Sequence, residues 1–320
     1  MPVTVDIPKE NWTGKIREVT LGATSANGGT RGKEVTVGGA TALPFLHFEG
    51  KFPHRPVVAI EIQDQPPAWP QPLLDAWGDA VKDPAEWAKK AEALGADLIL
   101  LRLSAGESVT SDDVRQAGAV TKAVLGATTL PLIVRGPGQA EADNAMLVPV
   151  CEVAAGERIA VGLCEDKNYR TIVAAALANG QLVIATTPID VNLAKQLNIL
   201  ISDMRMDLNR ILMDPTTGAL GYGLEYTYSV MERLRIAALT GDGMTQQPMI
   251  CFVGEEAWRQ KEARVGTGVP AEWGDWAHRG VIWEVLTATS LLEAGADILV
   301  VRHPETLDLL KKTIDKLMAS

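Results

Sequence analysis

Cysteine is scarce in this chain: Cys151, Cys164 and Cys251 are the three among 320 residues, and no two form a Cys-x-x-Cys pair. Neither a disulfide framework nor the four-thiolate ligand set of an iron-sulfur cluster is therefore written here, and buried thiols are expected. Histidine is nearly as rare. His47, His54, His278 and His303 are scattered, with no His-x-His or His-Glu-x-x-His, which removes the clustered ligands of a zinc hydrolase. Positive charge is in deficit: 30 Lys and Arg face 40 Asp and Glu, for a formal net charge of -10. A nucleic-acid backbone or an anionic membrane needs a basic face to replace its counterions, so neither is expected as the main partner. The opening Met1-Pro-Val-Thr-Val-Asp-Ile-Pro8 lacks the basic region and apolar run of a signal peptide, and no later apolar stretch is long enough to span a bilayer. A cytoplasmic protein is expected.

Two glycine motifs are also incomplete. Gly32-Lys33 would need a glycine at position 27 and a hydroxyl at 34 to cradle phosphate and hold magnesium, but Asn27 and Glu34 stand there. Gly136-Pro-Gly138, Gly221-Tyr-Gly223, Gly241-Asp-Gly243 and Gly266-Thr-Gly268 all lack the third glycine of a dinucleotide fingerprint, which counts against an open doubly wound sheet.

What is present is a chain with 47% hydrophobic residues, long enough for one large α/β barrel or two ordinary domains. Glu18-Val-Thr-Leu-Gly and Glu34-Val-Thr-Val-Gly flank the glycine-rich Ser25–Gly32, a pattern that predicts a β-hairpin. From Val57 onward, apolar runs alternate with amphipathic segments. Strands are predicted at Val57–Ile62, Asp97–Arg102, Pro131–Arg135, Arg158–Gly162, Leu182–Thr186, Arg210–Asp214, Pro248–Val253 and Asp297–Arg302. Nearly continuous apolar strands suit a parallel sheet covered on both faces, and eight strand-helix units predict a closed (β/α)8 TIM barrel. The predicted division is an N-terminal hairpin extension over 1–55 and the barrel over 56–320, with the hairpin packed outside the strand cylinder.

Asp83-Pro84-Ala-Glu86 offers a helix cap with a proline start and a reciprocal carboxylate, and His303-Pro304-Glu305 repeats the proline start. Leu94-Gly95-Ala96-Asp97 and Ala294-Gly295-Ala296-Asp297 each end a helix on glycine and lead directly into a strand, an internal echo between the second and eighth units. Short turns of this kind are expected to close the N-terminal end of the barrel.

A barrel of this kind holds its ligand at the C-terminal ends of the strands. No predicted strand contains a lysine, so a Schiff-base aldolase is excluded. Asp64, Glu165, Asp166 and Asp214 could hold magnesium or work as acid and base, but carboxylates on barrel loops are common and more often serve as caps and loop ties. The loop from Met213 to Arg235 offers the paired threonines Thr216 and Thr217, three glycines and a stripe of Tyr226, Val230 and Leu234 at helical spacing. The glycine- and threonine-rich strand ends give the candidate cofactor-binding set: Arg135, Gly136, Gly138, Thr186, Thr187, Asp214, Thr216, Thr217 and Gly218. No catalytic residue or metal ligand is assigned.

The Met213–Arg235 segment, Gly254-Glu-Glu-Ala-Trp-Arg-Gln-Lys-Glu262 and Glu61-Ile-Gln-Asp-Gln-Pro-Pro67 together resemble the small, or delta, subunit of the corrinoid iron-sulfur protein of the acetyl-CoA pathway. The likeness runs the length of the chain. It implies a barrel subunit paired with a large subunit that carries a [4Fe-4S] cluster and a cobamide domain, the cobamide lying between the two. It further implies that the cobalt takes a methyl group from methyltetrahydrofolate through a methyltransferase and passes it to acetyl-CoA synthase. The residues agree on two points. The cysteines leave the cluster to a partner, and His47-Phe-Glu-Gly50 has Phe45 where the cobalt-ligating Asp-x-His-x-x-Gly motif has its aspartate. Three other readings stay open. They are a pterin-dependent methyltransferase-like barrel using Asp64 or Asp214, a magnesium-dependent lyase, and a purely structural partner.

Overall fold

The computed structural model describes residues 7–106 and 108–319. Residues 1–6, which carry most of the expected leaderless start, lie outside that range. A short antiparallel pair, β1 (Glu18–Leu21) and β2 (Val35–Gly38), precedes eight parallel strands. These are β3 (Val57–Gln63), β4 (Leu98–Arg102), β5 (Leu132–Arg135), β6 (Ala160–Cys164), β7 (Leu182–Thr186), β8 (Ile211–Asp214), β9 (Met249–Cys251) and β10 (Ala296–Val301). They close into a barrel in chain order, with β10 beside β3 in the register Ile298 to Val57. The expected TIM barrel with an N-terminal hairpin is the observed architecture.

Helices α1 (Gln71–Trp77), α2 (Pro84–Ala93), α3 (Ser111–Ala127), α4 (Ala140–Val153), α5 (Tyr169–Asn179), α6 (Val191–Asp203) and α7 (Leu224–Leu239) alternate with the strands. After β9 come α8 (Val253–Arg259), α9 (Lys261–Arg264) and α10 (Trp276–Glu293), and α11 (Pro304–Met318) follows β10. Among the described residues, no helix is long and apolar enough to cross a membrane.

The period-2 geometry of a strand sorts each run between two cores. Ile60, Ile62, Ile99, Leu101 and Val134 face outward against the helices. Val57, Ala59, Leu98, Leu100, Ile133, Leu182, Ile184, Leu212, Ile298 and Val300 fill the barrel interior. Both faces are buried, so the runs carry no polar alternation until their C-terminal ends.

Two expectations change on inspection. Val19, Leu21, Val35 and Val37 of the hairpin belong to the interior cluster, so the hairpin lies outside the cylinder as expected but acts as its stopper. It is seated there by Gly22 N–H on the Arg158 carbonyl (2.9 Å) and Arg17 N–H on the Gln246 carbonyl (2.7 Å). The N-terminal end is thus closed by this stopper, beyond what turns such as Gly95-Ala96 provide. At Asp83 the side chain accepts from Ala85 N–H, while Glu86 reaches Lys89 (2.6 Å) and not the backbone. The reciprocal box stands instead at Thr110 and Asp113, opening α3.

Candidate functional site

The inward-facing positions that continue the apolar layers are charged or polar. Above Val57 and Ala59 comes Glu61, and above Leu98 and Leu100 comes Arg102. Arg135 follows Ile133, Thr186 follows Ile184, Asp214 follows Leu212, and Arg302 follows Val300. The strand ends therefore stack one polar layer across the C-terminal mouth. Its members compensate one another: Arg302 Nη2 lies 2.7 Å from Glu61 Oε1, which also accepts from Gln63 (3.0 Å). Glu255, on α8, bridges Arg102 at 2.8 Å and Arg135. The Arg135 guanidinium also lies 4.5 Å over the Phe252 ring, and that of Arg302 lies 4.8 Å over Trp69.

Burial opposes the Glu255 charge, but the guanidinium groups of Arg135, Arg102 and Arg302 outweigh it and hold the carboxyl down at about 2. Asp214 goes the other way. Burial pushes its carboxyl up to about 7, against the pull of Arg135, the Thr216 N–H and the Thr186 hydroxyl, with Glu255 adding to the push. Asp143, which holds the Gly138 N–H (3.0 Å), is raised by burial to about 6.

The titration of Asp214 carries a sign that can be tested. A folded pKa of about 7 above an ordinary 3.8 means that its contribution is complete below the unfolded pKa and is lost as pH rises through the folded one. His303, lowered by burial to about 4, acts in the opposite direction over part of the same range, so the difference between variant and parent isolates Asp214. Asp214→Asn is expected to gain about 2 kcal/mol relative to the parent between about pH 5.5 and about pH 8. Urea unfolding at both pH values checks this, and an equal difference at the two would refute it.

The expected site residues divide by what they touch. Thr186 and Thr187 line a cavity of about 330 Å³ with Pro188, Glu165 and Lys167. The Thr187 hydroxyl is buried and has no hydrogen-bond partner among the described residues. Arg135 and Asp214 sit in the polar layer. Thr216 has φ of 64° and donates its hydroxyl to the Thr187 carbonyl (2.6 Å), joining two strand ends. Thr217 and Gly218 turn inward: the Thr217 hydroxyl accepts from Phe252 N–H (2.8 Å), and Gly218 N–H donates to Thr227 (2.9 Å). A Cβ at Gly218 would lie 2.5 Å from the Gly223 backbone, and one at Gly136 would lie 2.2 Å from Asp143 Oδ1. Both glycines therefore permit close packing.

Asp64 receives the Ser104 N–H (3.0 Å), the loop-tie reading, and among the described residues no three His, Cys, Asp or Glu side chains gather as a metal set. The three cysteines are buried, and burial, with the neighbouring Glu152 charge, pushes the Cys151 thiol up to about 12. In α7, Val230 and Leu234 are buried as expected, but Tyr226 is 64% exposed. The buried arc centres on Thr227, Met231 and Ala238, and Tyr226 falls beyond its edge. The sequence reading did not single out Glu61, although its inward parity with Val57 and Ala59 was the available signal.

A second, larger hollow of about 450 Å³ opens between the ends of β3, β4 and β10 and helix α8, lined by Arg102, Arg259, Arg264, Arg302, Glu255 and Trp69 among others.

Comparison with known proteins agrees with this architecture. The family model described as "CO dehydrogenase/acetyl-CoA synthase delta subunit" matches residues 18–314. The acetyl-CoA decarbonylase/synthase complex subunit delta of Archaeoglobus fulgidus is 39% identical over 97% of this chain and 70% of its own length. Subunit delta 1 of Methanosarcina thermophila is 37% identical over 100% of this chain and 75% of its own. Among solved structures, the dihydropteroate synthase of Coxiella burnetii in complex with pteroic acid superposes with a TM-score of 0.60 at 13% identity, over 95% of this chain and 100% of that one. The Yersinia pestis enzyme gives 0.58 at 15%, over 83% and 95%. These solved structures, at 13% and 15% identity, show the fold alone, whereas the sequence relatives are 39% and 37% identical over nearly the whole chain. The chain belongs to the CO dehydrogenase/acetyl-CoA synthase delta subunit family.

Proposed function

We propose that this chain is the small subunit of a cytoplasmic corrinoid iron-sulfur methyl carrier, and that its C-terminal mouth covers a cobamide held jointly with a large subunit. The observation that carries the reading is the buried Thr187 hydroxyl, without a hydrogen-bond partner among the described residues, on the wall of a hollow at that mouth. A corrin is a broad disc with apolar faces and an amide-bearing rim, so its host needs free hydrogen-bonding groups and room for close approach. The hollow of about 330 Å³ is too small to take the whole disc but suits one edge of it. Thr187 and Thr186 would meet rim amides, and Gly138, with open space where a Cβ would stand, allows the backbone to come close. Arg135, Gly136, Asp214, Thr216, Thr217 and Gly218 complete the candidate set by holding these walls in place.

When bound, the cobamide supplies the methyl-carrying chemistry. The residues of this chain would hold its edge at the threonine-lined wall and keep that wall ordered. The [4Fe-4S] cluster belongs to the large subunit in this reading. A methyltetrahydrofolate methyltransferase and acetyl-CoA synthase are its partners in transfer.

Thr187→Trp in the co-expressed two-subunit complex should lower corrinoid absorbance per complex by about tenfold, equivalent to losing the free energy of one well-made buried contact. Ala96→Ser, at the stoppered end, should leave it unchanged. Full cobamide content and full methyl transfer in the tryptophan variant would place the cofactor elsewhere. Calorimetry with methyltetrahydrofolate decides the pterin-binding alternative, since tight binding by this chain alone would replace the present reading.

A further inference from the structure

We propose that the arginine-lined hollow beside Trp69 binds a small dianion, either a phosphate monoester or a dicarboxylate. The hollow measures about 450 Å³, within the range of small-molecule sites, and its wall carries four arginines and one carboxylate. The charges do not cancel. Glu61 pairs with Arg302, Glu256 with Arg259, and Glu255 is shared by Arg102 and Arg135. Arg264 forms no ion pair among the described residues. The wall itself thus presents four guanidinium groups against the one carboxylate of Glu255, on a chain whose formal net charge is -10.

The deepest of these arginines is built to receive a ligand. Arg302 lines the hollow and is 6% exposed, and its buried Nε has no hydrogen-bond partner among the described residues. The Nη2 bond to Glu61 and the contact with Trp69 fix the plane of its guanidinium. A planar fork with an unused N–H is suited to an oxyanion, and holding it ready lowers the cost of ordering it on binding. Arg259 and Arg264 stand at the exposed rim, where they can close over the second charge. Four guanidinium groups against one carboxylate on the wall favour a dianion over a monoanion, because one bound charge would leave the wall unbalanced. The inference does not depend on the cobamide, whose proposed edge contact lies at the separate threonine-lined hollow.

The test is calorimetric titration of the full chain, without corrinoid and at low chloride, with inorganic phosphate and separately with glutarate. Saturable one-to-one binding of at least one probe is expected, weakened about tenfold or more in the Arg259→Gln, Arg264→Gln double variant. Both positions are exposed, so the fold should tolerate the change. Arg115→Gln, on the outer surface of α3, should bind as the parent does. Binding of phosphate alone assigns a phosphate monoester, of glutarate alone a dicarboxylate, and of both a general dianion site. Absence of heat from either probe up to about 10 mM, or undiminished binding in the double variant, overturns the proposal. Thr187→Trp should leave the titration unchanged, so failure here and failure of the cobamide reading are told apart.

Discussion

Replacing Arg302 with methionine should lower the free energy of unfolding by about 3–5 kcal/mol, the usual cost of leaving a buried charge without its partner. The side chains of Arg302 and Glu61 are 7% and 0% exposed, and they meet at 2.7 Å. Methionine keeps most of the apolar stem and the backbone bonds, including Arg302 N–H to Glu284 (2.6 Å) and the carbonyl that receives Trp77 Nε1–H (2.8 Å). What disappears is the charge opposite Glu61. Arg135 also feels Glu61, which places the expected loss toward the lower end of the range. Adding Glu61→Leu to the methionine variant should restore much of the loss, because an apolar pair of similar volume removes the stranded carboxylate. Urea unfolding of both singles and the double measures the coupling, and a methionine variant within about 0.5 kcal/mol of the parent would contradict the account.

Arg31→Met should cost a similar amount, about 3–5 kcal/mol, for a different reason. Arg31 is 4% exposed, and its guanidinium ties the hairpin turn to the barrel. Nε donates to Glu157 (2.8 Å), Nη1 to the Thr128 carbonyl (2.8 Å) and Nη2 to the Leu125 carbonyl (2.7 Å). Both carbonyls lie at the end of α3, where a cation is favoured by the helix dipole as well. Removing the guanidinium takes the charged donor from Glu157, which keeps only the Thr30 N–H and hydroxyl, and strips a donor from the carbonyls of Leu125, Thr128 and Leu130. The loosened region should be the hairpin, so limited proteolysis within residues 25–34 should accelerate along with the loss of stability. Lost stability with unchanged cleavage there would mean that Arg31 acts on the barrel and not on the stopper.

Much of the barrel was legible because its strands are buried on both faces, so each reads as a continuous apolar run. The misplaced ends have local causes. Strand β6 begins at Ala160, not Arg158, because Arg158 holds a φ of 51°, which no extended strand accommodates. Strand β9 stops at Cys251 because Val253 already opens α8. The polar layer was legible in outline, since Arg102, Arg135, Asp214 and Arg302 close predicted strands and Glu255 follows another by two residues. Their pairing was not. Glu255 reaches Arg135 across 120 positions of sequence, and Glu61 reaches Arg302 across 241. No local spacing encodes such distances. The stopper role was hidden for the same reason, since Val19 and Leu21 look like any short strand until the barrel interior they fill is closed.

That stopper also bears on the order in which the chain can acquire its structure. The hairpin is synthesised first, yet Arg17 and Gly22 bond to the Gln246 and Arg158 carbonyls, and its apolar residues belong to an interior cluster that extends to Ile298 and Val300 of the last strand. An isolated two-stranded hairpin is marginal in water, and contacts of such long sequence separation form slowly. Amides of Val19 and Leu21 should therefore gain protection from hydrogen exchange only after β10 has joined β3, late in refolding.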